Sequence, residues 1–157
     1  MSSPSAVHAS EGTLLLSCQL DSTELAIPVA QIVEVLNAVA LLQAPVSSPH
    51  LLGMIDYRGR LVPVADTRGL IGLPSRRLRA SDRFVVASTP RGMVALAVDA
   101  LHEITAASGL PADFGDSPDG FVMHSPLAGV WVLPVNALTR PMLDSIGFLS
   151  ERQVEMI

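Results

Sequence analysis

At 157 residues the chain is one domain in length, or two very small ones sharing a core, and folded as one body it buries roughly 70% of its unfolded surface. A net charge of −5, with all ten cations Arg and no Lys, excludes a nucleic-acid backbone as the main partner, because phosphate binding needs a concentrated positive surface. Although 49% of the residues are apolar, no uncharged apolar run approaches the roughly 18 to 20 residues of a spanning helix, and Met1–Glu11 lacks the basic start and apolar core of a signal peptide.

Residues 1–12 are small and polar and are expected to form a disordered tail. Thr13 to Leu20 alternates as a strand, and its one cysteine, Cys18, reads as a small buried hydrophobe. One cysteine forms no internal disulfide, so the cytoplasm is the expected compartment. Asp21-Ser22-Thr23 supplies turn chemistry, and Leu25 to Ile27 returns as the second arm of a hairpin. Pro28 suits the start of a helical turn, and Val33 to Leu36 resumes an extended run. Leu42 to His50, with Pro45, Ser47, Ser48 and Pro49, reads as a loop. Leu51 to Asp56 and Leu61 to Ala65 are strands joined by a tight turn in which Gly59 supplies a positive φ. Asp66 suits the N-cap of a short helix ending near Gly72. A connector with Arg76, Arg77, Arg79 and Arg83 follows, either a solvated segment or a phosphate- or partner-binding one. The second half runs from Phe84 to about Val135 around a polar loop, Thr105 to Gly120, and Met142, Leu143, Ile146 and Leu149 then fall at helical spacing.

The two halves state one pattern twice. Leu25 to Val35 returns as Val94 to Ile104, shifted by 69 positions, with Ala at 26 and 95, Val at 29 and 98, and Glu at 34 and 103. Val62-Pro63-Val64 returns as Leu133-Pro134-Val135. Short strands with frequent turn signals, in two copies, predict an all-β fold of two small five-stranded barrels on a shared core with a short C-terminal helix. The expected boundaries are a single domain over 13–147, with a first barrel at 13–72, a connector at 73–82, a second barrel at 83–136, a helix at 137–147 and a tail at 148–157.

Signals for chemistry are weak. The four His residues, at 8, 50, 102 and 124, have no HxxxH or CxxC partners, so no metal site is expected. Asp113, Asp116 and Asp119 lack the alternate-residue spacing of a calcium loop. No nucleophile elbow and no glycine-rich phosphate loop is seen, and no cofactor is expected. Val64-Ala65-Asp66-Thr67 begins like an aspartic-protease turn, but Arg68 stands where that turn needs Gly, and Asn136 occupies the second copy's equivalent position. An Asp66-dependent hydrolase therefore remains only as a disfavoured alternative. Tyr57 and Trp131 are too few for a base-stacking platform.

Four blocks, in order and suitably spaced, resemble the CheW-like family of bacterial chemotaxis coupling proteins: Glu24 to Val35, Gly53 to Gly59, Val62 to Arg68, and Val98 to Ile104. The resemblance implies a non-enzymatic adaptor that bridges the cytoplasmic tip helices of chemoreceptors to the regulatory domain of a CheA-type histidine kinase, cytoplasmic and recruited to membrane-associated arrays without inserting into the membrane. A pilus, gliding or other non-flagellar chemosensory pathway fits the same module. The family's Asn-Leu-Arg-Gly turn stands here as Asp56-Tyr57-Arg58-Gly59, so Arg58 takes the receptor-contact assignment. Ile32 and Glu34 are expected to line the receptor groove, with Leu101 facing them from the second copy. The kinase-binding candidates are Leu51, Leu52 and Gly53, an apolar strand start beside a Pro-rich loop.

Overall fold

The computed structural model describes residues 13–107, 122–123 and 131–156. The strands are β1 (Thr13–Leu20), β2 (Thr23–Pro28), β3 (Ile32–Asn37), β4 (Leu51–Tyr57), β5 (Arg60–Ala65), β6 (Arg83–Thr89), β7 (Gly92–Val98), β8 (Ala100–Ala107), β9 (Val122–Met123) and β10 (Trp131–Val132). A short helix, α1 (Thr67–Leu70), follows β5, and α2 (Val135–Met156) follows β10. The expected N-terminal tail and most of the loop carrying Asp113, Asp116 and Asp119 lie outside the described residues.

Two five-stranded sheets form, in the orders β8-β1-β2-β10-β9 and β3-β6-β7-β5-β4. Each draws strands from both copies of the repeat. The chain crosses between sheets at the repeated segment itself: a 3-10 turn, Val29–Gln31, carries it from β2 into β3, and Asp99 alone separates β7 from β8. The two hairpins keep one register, since Leu15 pairs with Pro28 as Phe84 pairs with Ala97, 69 positions on. Similarly, Leu101 pairs with Cys18 as Ile32 pairs with Ala87.

The expected barrels are not formed. Among the described residues neither sheet closes: β3 and β4, at the two edges of the second sheet, share no backbone pairing. The segment between them covers the β4 edge instead. The Leu42 amide donates to the Met54 carbonyl at 2.8 Å, and the Met54 amide donates back to Leu42 at 2.8 Å. This occupies an edge that would otherwise offer unpaired backbone groups.

Strand alternation divides the apolar residues between two cores. Leu16, Cys18, Leu20, Leu25 and Ile27 from the first sheet meet Val85, Ala87, Val94, Leu96 and Val98 from the second, and Met142, Leu143 and Ile146 of α2 pack against them. The alternate residues of the second sheet, Val62, Val64, Phe84, Val86 and Ala95, join Ile55 and Tyr57 in a separate cluster. Both faces of the second sheet are therefore buried, which explains the near-continuous apolar runs of β5, β6 and β7. Full burial of Phe84 alone contributes about 1.5–3 kcal/mol.

Candidate functional site

The β4–β5 hairpin is closed by a two-residue loop, since Tyr57 pairs with Arg60. Arg58 and Gly59 both have positive φ, 53° and 83°, the signature of a type I′ turn that matches strand twist. Gly59 adopts this region freely; Arg58 does not, and its conformation costs about 1–2 kcal/mol. The Asp56 carboxylate accepts the Gly59 amide at 2.9 Å and braces the turn.

Glu34, on the far edge of the same sheet, meets this hairpin tip. Its Oε1 accepts a hydrogen bond from the Tyr57 hydroxyl at 2.6 Å and another from Arg58 Nη2 at 2.8 Å. The two edge strands, β3 and β4, thus approach closely enough at the hairpin tip for side chains, not backbone, to span the gap. The Arg58 side chain is 74% exposed, and its guanidinium carbon lies 5.3 Å from the centroid of the Tyr57 ring. The hydrogen bond to Glu34 raises the Tyr57 phenol above its ordinary value, because ionising it would remove the proton that it donates to the carboxylate.

Of the residues assigned to the receptor from the sequence, Glu34 and Arg58 are therefore in contact. Ile32 lies on β3 and Leu101 on β8, in different sheets, and each half-buried side chain packs against the core between the sheets.

The kinase candidates occupy the start of β4. Leu51 packs against the intersheet core, Leu52 is 39% exposed, and Gly53 is buried. A Cβ at Gly53 would stand 2.8 Å from the Leu42 carbonyl oxygen and 2.9 Å from Leu41 Cβ, so this glycine admits the crossing segment. Among the three, Leu52 is the side chain presented outward. Beside the same strand pair lies an open concavity of about 440 Å³ of mixed polar and apolar lining, formed by Leu42, Gln43, Ala44, Pro45, Met54 and Leu61.

The largest polar constellation was not singled out from the sequence. Arg68, buried at the start of α1, donates to Asp21 at 2.6 and 2.9 Å and to Asp99 at 2.7 and 2.9 Å. Arg76 donates to Asp99 at 2.6 Å and to the buried Asp82 at 2.8 and 2.9 Å. The connector is thus not simply solvated: Arg76 is drawn into this network. Hydrogen bonding from Arg68 holds the Asp21 carboxyl below its ordinary value. For Asp82, burial pushes upward, but hydrogen bonds from Arg76 and the Arg79 amide outweigh it and the net shift is downward. Asp66 precedes α1 without capping it through its side chain; its carboxylate accepts the Ser75 hydroxyl instead.

Among the described residues no group of three or more His, Cys, Asp or Glu is placed to hold a metal, and no helix is long and apolar enough to cross a membrane. The model of the family described as CheW-like domain matches residues 14–119. Among solved structures, the chain is similar to the scaffolding protein TtCheW from Thermoanaerobacter tengcongensis, with a TM-score of 0.66 and 18% identity over 81% of this chain and 87% of that one. No curated protein sequence matches it.

Proposed function

For a chain that belongs to the CheW-like domain family, a non-enzymatic chemosensory scaffold coupling receptors to a CheA-type kinase, we propose that two separate surfaces divide the work. The receptor's cytoplasmic tip helices dock at the seam between β3 and the β4–β5 turn, where Arg58 supplies the polar contact, Glu34 holds it, and Ile32 and Leu101 support the surface from the core side. The regulatory domain of the kinase docks at the start of β4, where Leu52 is the outward residue and Leu51 and Gly53 shape the backbone beneath it.

The observation that carries the receptor assignment is the state of Arg58. It is a non-glycine residue in the left-handed region, mostly exposed, yet tethered by Glu34 at 2.8 Å. Strained, over-determined conformations of this kind concentrate at binding sites. Exposed apolar side chains support the kinase assignment, since Leu52, Leu42 and Leu61 are 39%, 50% and 54% exposed on or against the β4–β5 pair.

Titration of a receptor tip fragment against Arg58→Ala tests the first surface. A hydrogen-bonded contact to a receptor carboxylate or carbonyl predicts a loss of about 1.5–3 kcal/mol, ten- to a hundredfold in affinity. Arg58→Lys is expected to recover only part of it, because Lys keeps the charge and loses the planar donor fork. Wild-type affinity in Arg58→Ala rejects the surface.

A further inference from the structure

From the contacts at the seam we infer that Tyr57 is a positioning residue for Arg58, fixing the Glu34 carboxylate so that the guanidinium is preset for its partner. The inference rests on the reading of Arg58 as the receptor contact and goes beyond it.

Three observations support it. The Tyr57 side chain belongs to the inner cluster of the second sheet, packed with Ile55, Val62, Val64 and Phe84, so its ring is held by the core and not by solvent-exposed contacts. Its hydroxyl reaches out of that cluster to Glu34 Oε1 at 2.6 Å, a short charge-assisted bond. The same oxygen accepts Arg58 Nη2 at 2.8 Å, and the guanidinium lies against the Tyr57 ring.

The physical consequence concerns entropy. An exposed Glu–Arg pair is weak because two long side chains must be ordered to make it. Here the core orders Tyr57, Tyr57 orders Glu34, and Arg58 meets an acceptor already in place. The type I′ turn restricts Arg58 from the backbone side. Among the described residues Glu34 is the one side chain that accepts a hydrogen bond from Arg58, which leaves the remaining guanidinium donors for an incoming acceptor. Preorganisation of this kind raises affinity by reducing what must be ordered on binding.

The test uses the full-length chain and has a readout in the free protein. Tyr57 is the only tyrosine, so the alkaline rise in phenolate absorbance reports on it alone. In wild type this titration is expected above that of free tyrosine, and in Glu34→Gln it returns toward the ordinary value. Side-chain 15N relaxation of Arg58 is expected to show greater mobility in Tyr57→Phe than in wild type. Toward a chemoreceptor tip fragment, Tyr57→Phe is expected to bind roughly three- to tenfold more weakly. In an Arg58→Ala background the same change is expected to have no further effect.

Unaltered affinity in Tyr57→Phe, with Arg58→Ala clearly weakened, overturns the positioning role and leaves the Arg58 contact standing. An equal loss from Tyr57→Phe with and without Arg58 also overturns it, because Tyr57 would then act on the fold. Wild-type affinity in Arg58→Ala removes the receptor reading, and the positioning role with it, whatever the phenol titration shows.

Discussion

Arg68 Nη2 lies 2.7 Å from Asp99 Oδ2, joining the helix after β5 to the one-residue junction at which the chain passes from β7 in the second sheet to β8 in the first. Asp99 also takes the Asp21 amide at 2.7 Å and Arg76 Nη2 at 2.6 Å. Four chain segments, the β1–β2 turn, α1, the connector and the β7–β8 junction, therefore converge on two guanidinium groups. The proposed receptor seam and the proposed kinase surface both lie on the second sheet, and this network fixes that sheet to the first.

Replacing Arg68 by Ala leaves the half-buried Asp99 with Arg76 as its remaining cationic partner and is expected to destabilise the protein by roughly 3 kcal/mol. Urea denaturation checks it. A loss below about 1 kcal/mol would mean that the network contributes little beyond its own desolvation cost.

The same carboxylates set an acid limit. Asp21 and Asp82 both have lowered values in the folded state, so the unfolded chain binds protons more readily as pH falls. Their contribution is complete above about pH 4 and is lost progressively as the pH falls below that, toward the folded-state values. Arg76→Met removes the two side-chain hydrogen bonds that lower Asp82 and leaves the one from the Arg79 amide, so its stability is expected to vary less than wild type between pH 5 and pH 3, roughly the range in which free carboxyls titrate. Denaturation midpoints across that range decide it; parallel curves for the two proteins count against the assignment.

Gly53 and Leu52 are expected to part company. Gly53→Ala places a Cβ against the Leu42 carbonyl and should cost about 1–3 kcal/mol of stability, whatever it does to binding. Leu52→Glu alters an exposed side chain and should leave stability within about 0.5 kcal/mol of wild type. Thermal denaturation of the two variants separates them, and equal losses would mean that Leu52 is a packing residue.

Cys18 is fully buried, and burial pushes its thiol up to about 12. Thiol-reactive dye is expected to label it only as the protein unfolds, since the thiolate is the reacting form. Rapid labelling under native conditions would contradict the packing of β1 against the intersheet core.

Local features were legible where one residue type dictates one geometry. Gly59 between two apolar runs marks the hairpin turn, and Thr13 to Leu20 alternates as a half-buried strand does. That the two sheets stay open, against the expected barrels, was not legible. Period-2 alternation says which face a residue of β3 occupies but not that β3 pairs with β6, a strand from the other copy, and leaves β4 unpaired with it. In the sequence Arg68 reads only as the residue that replaces a turn glycine after Asp66, and nothing beside it points to distant carboxylates. The one signal of the network was Asp99, a lone carboxylate inside the apolar run from Val94 to Leu101. Family likeness names Glu34 and Arg58 separately, and their contact was not legible, since they lie 24 residues apart on opposite edges of one sheet.

The most direct measurement pairs two variants with two partners: Arg58→Asn and Leu52→Glu, each titrated separately with a receptor tip fragment and with the regulatory domain of the kinase. Asn tolerates the left-handed region better than Arg, so Arg58→Asn should keep the turn and gain up to about 1 kcal/mol of stability. The expected result is a crossed pattern, in which Arg58→Asn loses receptor affinity ten- to a hundredfold, roughly as a charged hydrogen bond requires, and keeps kinase affinity. Leu52→Glu should do the reverse. Folded variants that each lose both partners equally, or neither, would contradict the division of the molecule into two docking surfaces.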